Sequence, residues 1–174
     1  MTDIRLRQAT KEDIPFLANS WLKSYRDAYA VKGCPNTLYY QFQHKVIDWA
    51  LSESAVLVLC DPEDEWLILG WLAYQRLSGG VIAIHYLYVK HPFRKQGLAK
   101  RMVEQVIEAE TDAVGPPAVM FTHKTKGGRA IQLHYERKAR AMGDPDQDFT
   151  KNWQYHPYLP FMLMPEDWAR GEYK

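Results

Sequence analysis

The chain is poor in the features that mark several large protein classes. It has two cysteines. Cys34 lies in a Gly-Cys-Pro turn and Cys60 ends an apolar run, a pair with neither metal nor redox spacing, so both read as free thiols. The six histidines show no zinc-ligand spacing. Asp144, Asp146 and Asp148 alternate as in a calcium loop, but Phe149 stands where glycine is wanted and Tyr155 where the bidentate Glu belongs, so the segment reads as a turn and no metal is expected. Charge excess is also missing: 22 Lys and Arg face 21 Asp and Glu. That balance gives no whole-chain pull toward nucleic acid or anionic membrane, and neither is expected as a partner. No apolar run approaches the ~20 residues that span a bilayer, and Met1 to Gln8 is too charged for a signal peptide, so the expected compartment is the cytoplasm. Gly127-Gly128 after Lys124-Thr125-Lys126 lacks the Gly-Lys-Ser/Thr order of a nucleotide-hydrolysing loop. Repeats, low-complexity tracts and Pro-rich linkers are absent.

What the chain does have is apolar material, 47% hydrophobic residues with 13% aromatics in 174 residues. That is enough for one globular domain spanning residues 1–174. Ile4 and Leu6 alternate with Arg5 and Arg7, predicting a strand with one wet face. A helix follows from near Asp13, with Pro15 in its first turn and Ile14, Leu17, Trp21 and Tyr25 on one stripe. Leu38, Phe42, Val46, Trp49 and Ala50 predict a second helix ending near Glu53. Ala55 to Cys60, Trp66 to Leu77 and Val81 to Val89 predict three consecutive strands in an antiparallel meander, the last two joined through Ser78-Gly79-Gly80. A helix comes next, with Leu98, Met102, Val106 and Ala109, flanked by Val103 and Ile107, on one broad buried face. The strand Ala118 to Thr122 after it implies a parallel neighbour, because antiparallel pairs do not need a helical crossover. A mixed sheet of this kind has room to splay at that junction. Beyond it lie a helix near Arg129 to Ala141 and terminal strands over Phe149 to Tyr155 and Phe161 to Met164.

The segment from Leu87 to Lys100 carries the chemistry. An apolar strand breaks into the basic loop Lys90-His91-Pro92-Phe93-Arg94-Lys95-Gln96 and opens a helix at Gly97-Leu98-Ala99-Lys100. The first turn of a helix leaves N–H groups without intrahelical partners, and the aligned peptide dipoles add partial positive charge there, a combination suited to a diphosphate. Arg94, Lys95, Lys100 and Arg101 add ionised donors.

The pattern Arg94-x-x-Gly97-x-Ala99, preceded by Leu87-x-Val89, resembles the acetyl-CoA signature of the GNAT N-acetyltransferase superfamily. The element order from about Ile4 to Met164 is similar too. The resemblance implies an α/β (α+β) fold, a mixed and mostly antiparallel sheet flanked by helices and splayed at an acyl-CoA cleft. It implies acetyl-CoA as co-substrate, held by Leu87, Val89, Arg94, Lys95, Gln96, Gly97, Leu98, Ala99 and Lys100, and an amine acceptor that attacks the thioester directly. His85 occupies the place where serotonin N-acetyltransferases carry a catalytic histidine, and its ordinary pKa of ~6.5 suits proton acceptance. A strand histidine bonded to neighbouring backbone is the other reading of it. No Glu lies between Val81 and Val89, where many members have one, so water relayed by His85 or Tyr86 is also open as the base. Tyr135 in Tyr135-Glu136-Arg137 resembles the family's last-helix tyrosine that protonates the departing thiolate. Its helical spacing from Ile131 fits a core position equally.

The same resemblance places the first two helices around the acceptor, with Tyr25, Asp27 and Tyr29 as substrate-binding candidates. The acceptor is a small-molecule or protein amine, and the assembly a monomer or homodimer. A rival reading is a GNAT-like domain that has lost catalysis and binds another protein. The missing carboxylate and the altered last-helix motif support it.

Overall fold

The computed structural model describes residues 5–141 and 153–170. Six strands stand side by side in chain order: β1 (Arg5–Gln8), β2 (Ala55–Cys60), β3 (Ile68–Leu77), β4 (Val81–Val89), β5 (Ala118–Phe121) and β6 (Trp153–Tyr155). Pairing is antiparallel from β1 through β4 and parallel from β4 through β6. The sheet is therefore mixed and open, as the strand and crossover pattern predicts. Its helices are α1 (Ile14–Tyr25), α2 (Asn36–Glu53), α3 (Leu98–Glu110), α4 (Lys126–Ala141), α5 (Leu159–Leu163) and α6 (Glu166–Arg170). Among the described residues, no helix is long and apolar enough to cross a membrane.

Alternation along the strands divides the apolar residues between two cores. On one face Trp71 and Ala73 of β3 pack with Trp21 of α1 and Trp49 of α2. On the other, Leu72 and Tyr74 pack with Met102, Val103 and Val106 of α3. Each fully buried aliphatic side chain of this kind stabilises the fold by about 1.5–3 kcal/mol.

The β3–β4 hairpin turns through Gly79 and Gly80, both at positive φ (74° and 69°), the handedness that matches strand twist in tight hairpins. Asp13 precedes α1 without capping it. Its carboxylate instead accepts from Arg7, at 2.6 and 3.0 Å, and from the Thr10 N–H at 2.7 Å. This pair ties the first strand to the first helix, and the guanidinium holds the Asp13 carboxyl below the usual carboxylate range.

Three expectations need correction. Phe161 to Met164 is not a strand: Leu159–Leu163 is a short helix, with Pro160 in its first turn and the Phe161 and Met162 N–H groups donating to Tyr158 O. The buried stripe of α2 is turned by one residue, so that Tyr39 and Gln43 are buried while Leu38 and Phe42 are exposed. Ala109 is exposed, while Leu98, Met102, Val103 and Val106 form the buried face of α3. Ile4, the turn at Asp144 to Asp148 and Phe149 to Asn152 lie outside the described residues.

Candidate active site

β4 and β5 part company halfway. Their parallel register runs from Val81 opposite Ala118 to Ile84 opposite Phe121. Thr122 N–H still reaches Ile84 O at 3.1 Å, after which β4 continues alone to Val89. Lys90 N–H donates to Leu69 O across the β3 side. By strand alternation Tyr88 also faces β3, and the backbone groups of Leu87 and Val89 face the edge that β5 has left. A narrow cavity of about 30 Å³ opens at this split. It is walled by His85, Leu87, Phe121, His123, Ile131 and Trp153, among others.

At the end of β4 the chain makes a 3-10 turn (His91–Phe93) and an exposed loop before α3. Lys95 (φ 65°) and Gly97 (φ 78°) both take the left-handed conformation. A Cβ at Gly97 would meet nothing within 4 Å, so the backbone angle is what calls for glycine there. The first bond across the start of α3 is Arg101 N–H to Gly97 O at 3.0 Å. The N–H groups of Leu98, Ala99 and Lys100 precede it and lack helical partners. Arg94 folds back, its Nε donating to Val89 O at 2.9 Å and its guanidinium lying 6.0 Å from the centre of the Tyr88 ring. Lys100 is also within 3.6 Å of Glu104. Strand edge, basic loop and bare helix N-terminus thus run together, as the sequence pattern predicts.

His85 sits in a β-bulge. Tyr86 pairs with Ala73 and Ile84 with Tyr74, which leaves His85 as the extra residue of β4. One consequence is that Ile84 packs in one core and Tyr86 in the other. His85 has no solvent exposure. Its ring meets Trp49 edge-on at 5.3 Å, its Nε2 is 3.3 Å from Gln75 Oε1 and its Nδ1 is 3.4 Å from Thr122 Oγ1. Burial pulls its pKa down to about 4.

Tyr135 stacks on Trp153 at 4.6 Å, one layer behind the cavity wall. Its buried hydroxyl has no hydrogen-bond partner among the described residues, and burial pushes the phenol up to about 12, so it keeps its proton at neutral pH. The acceptor-side candidates separate. Tyr25 is buried in the aromatic cluster at the split, whereas Asp27 is exposed and Tyr29 is 97% exposed in the loop after α1. Tyr86 stacks on Trp21 at 4.6 Å and shares a 2.7 Å hydrogen bond with Ser24.

Sequence reasoning passed over His123, Gln43 and Thr122. His123 directly follows β5 at the point where the strands split. Its Nδ1 lies 2.8 Å from Thr122 Oγ1 and its Nε2 3.1 Å from Gln43 Nε2. Trp21 and Tyr25 pack edge-to-face against it at 4.9 and 4.6 Å. The residue as a whole is partly exposed, and burial of its ring holds the imidazole pKa well below the ordinary value, chiefly by desolvation and secondarily through His85. The available signal was a polar residue at a helix position where periodicity asks for an apolar one, and Gln43 is that residue. Among the described residues, no group of three or more His, Cys, Asp or Glu is gathered as for a metal.

A strand that ends at a phosphate-suited helix N-terminus, beside the split of a mixed sheet, defines a nucleotide-thioester-binding class of α/β fold. Residues 16–138 match the profile of the acetyltransferase (GNAT) family, and the chain belongs to that family. No curated protein matches it. Solved structures do, at low identity. One is a protein from Corynebacterium glutamicum described as histone acetyltransferase HPA2 and related acetyltransferase, 16% identical, covering 80% of this chain and 84% of its own with a TM-score of 0.58. A GCN5-related N-acetyltransferase from Ralstonia eutropha is 17% identical, covering 76% and 91%, at a TM-score of 0.57. A GNAT family acetyltransferase from Brucella melitensis, solved in complex with acetyl-CoA, is 12% identical, covering 75% and 82%, at a TM-score of 0.51. At these identities the likeness is one of fold.

Proposed function

We propose that this protein transfers an acetyl group from acetyl-CoA directly to a primary amine. The observation that carries this reading is the continuity of the β4 edge that β5 has left, at Leu87 and Val89, with the loop Arg94 to Gly97, whose Arg94 side chain bonds Val89 O, and with the bare first turn Leu98 to Lys100. The edge pairs with the pantetheine amides as an added strand would. The loop and helix N-terminus hold the diphosphate. The Brucella melitensis protein, similar in fold, is seen with acetyl-CoA.

The acyl carbon then lies in the split between β4 and β5. The amine nitrogen attacks it, and a backbone N–H near Val89 stabilises the oxyanion. The C–S bond breaks with the proton of Tyr135 available to the thiolate. That hydroxyl is protonated, buried and without a partner among the described residues. His85 is enclosed, so its part is to act through Thr122, with which its ring and its backbone oxygen are both in contact. The acceptor enters from the side of Tyr25 and Tyr86, and Asp27 and Tyr29 stand further out as candidates for holding a larger substrate.

The narrowness of the cavity, about 30 Å³, favours the rival reading of a binding module without catalysis. Release of free thiol from acetyl-CoA in the presence of primary amines decides between the two. The transferase reading predicts amine-dependent release by the wild type and loss of release in Gly97→Glu, which places a carboxylate at the phosphate cradle. Acetyl-CoA binding without thiol release from any amine supports the binding module.

A further inference from the structure

Five polar side chains from four neighbouring segments form one hydrogen-bonded chain behind the cleft. Gln43 Nε2 lies 3.1 Å from His123 Nε2, His123 Nδ1 is 2.8 Å from Thr122 Oγ1, Thr122 Oγ1 is 3.4 Å from His85 Nδ1, and His85 Nε2 is 3.3 Å from Gln75 Oε1. The Gln43 amide donates to His123 Nε2, His123 Nδ1–H donates to Thr122, the Thr122 hydroxyl donates to His85 O at 3.2 Å beside the His85 ring, and His85 Nε2–H donates to Gln75. A neutral imidazole has one N–H and one lone pair, so Gln43 fixes the tautomer of His123 and Gln75 that of His85. Both histidines line the cavity, His85 with no solvent exposure and His123 only partly buried.

Resting on the transferase reading, we propose that His123 receives the proton shed by the acceptor amine, its Nε2 lone pair held available by the bond from Nδ1–H to Thr122 Oγ1. Gln43 marks the place of the substrate: it sets a neutral N–H against Nε2, the same group an incoming amine offers. The amine displaces the carboxamide and donates to Nε2 in its place. Its lone pair forms the C–N bond to the thioester carbon, and the C–S bond then breaks to release the CoA thiolate. The nitrogen, made acidic by C–N bond formation, gives its proton to Nε2, and the imidazolium returns that proton to solvent. The low basicity of the desolvated ring suits this order, with proton transfer following attack. Trp21, Tyr25 and Tyr86 surround the imidazole. The ionisable groups facing it are the two phenols and, through Thr122, His85, so the proton enters a neutral setting.

The test has two arms. In 15N–1H spectra of histidine-labelled protein, His123 is expected as the neutral Nδ1–H tautomer, and Gln43→Leu shifts its Nε2 resonance; an Nε2–H tautomer overturns the proposal. In the second arm, 2-phenylethylamine, spermine and a peptide with a free N-terminus serve as acceptor probes. His123→Gln is expected to lower kcat by about 100-fold or more, with acetyl-CoA affinity by calorimetry unchanged. Thr122→Val lowers kcat without changing KM for acetyl-CoA, and Thr122→Ser restores it. A wild-type kcat in His123→Gln overturns this inference and leaves the transferase reading standing. A wild type that acetylates none of the probes overturns both.

Discussion

At the scale of single residues, the polar groups inside the cleft are those whose ordinary chemistry burial has changed. Tyr135 is a phenol held neutral behind Trp153 and unpaired among the described residues. If it supplies a proton to the thiolate, Tyr135→Phe lowers kcat by about 100-fold while leaving acetyl-CoA affinity alone, since the ring and its stacking remain. Equal losses in kcat and in acetyl-CoA affinity would assign it a packing role instead. Tyr135 and His85 stand out in the sequence as candidates because they sit at motif positions. His123 and Gln43 do not: neither belongs to a motif, and they meet only once α2 lies across the split between β4 and β5. The single trace was a glutamine on the face where periodicity asked for an apolar residue, and reading Phe42 as the buried position hid it. Tyr29 and Asp27 are exposed in the loop after α1, whose course leaves no periodic signal in the sequence.

At the scale of elements, the cradle depends on how closely α3 approaches the sheet. Gly70 of β3 lies under this contact: a Cβ there would stand 2.6 Å from Tyr88 O and 3.3 Å from the Met102 methyl group. Gly70→Ala therefore pushes β4 and α3 apart, at a cost of about 1–3 kcal/mol in stability. The cradle is displaced with them, so acetyl-CoA affinity falls as well. Thermal melts and calorimetry on the same variant check both; an unchanged melting temperature would mean that β4 yields without strain. Meander, crossover and motif helix were readable because each imposes a period or a punctuation on the sequence. The chain end was less so: Phe161 to Met164 is apolar enough for a strand, and the helical first turn set by Pro160 decided otherwise. The bulge at His85 left no mark in the alternation, because β4 is apolar on both faces up to that point.

At the scale of the whole molecule, two histidines are buried in their neutral form, and stability follows from that. Their folded pKa values lie below the unfolded value, so the unfolded chain binds protons more readily as pH falls below ~6.5. The stability they contribute is fully present above that pH and is lost as pH drops toward 4. Asp13, held low by Arg7, extends the loss to still lower pH. Melting temperatures measured from pH 8 to pH 4.5 are expected to be level at first and to fall below about pH 6.5, with a shallower fall in His85→Asn. A flat profile through that range would contradict the burial of both rings. The central claim is that the β4 edge, the Arg94–Gly97 loop and the α3 N-terminus together hold acetyl-CoA. Calorimetric titration of the protein with acetyl-CoA tests it most directly: saturable one-to-one binding that disappears in Gly97→Glu is the predicted result, and no heat of binding at millimolar ligand would contradict it.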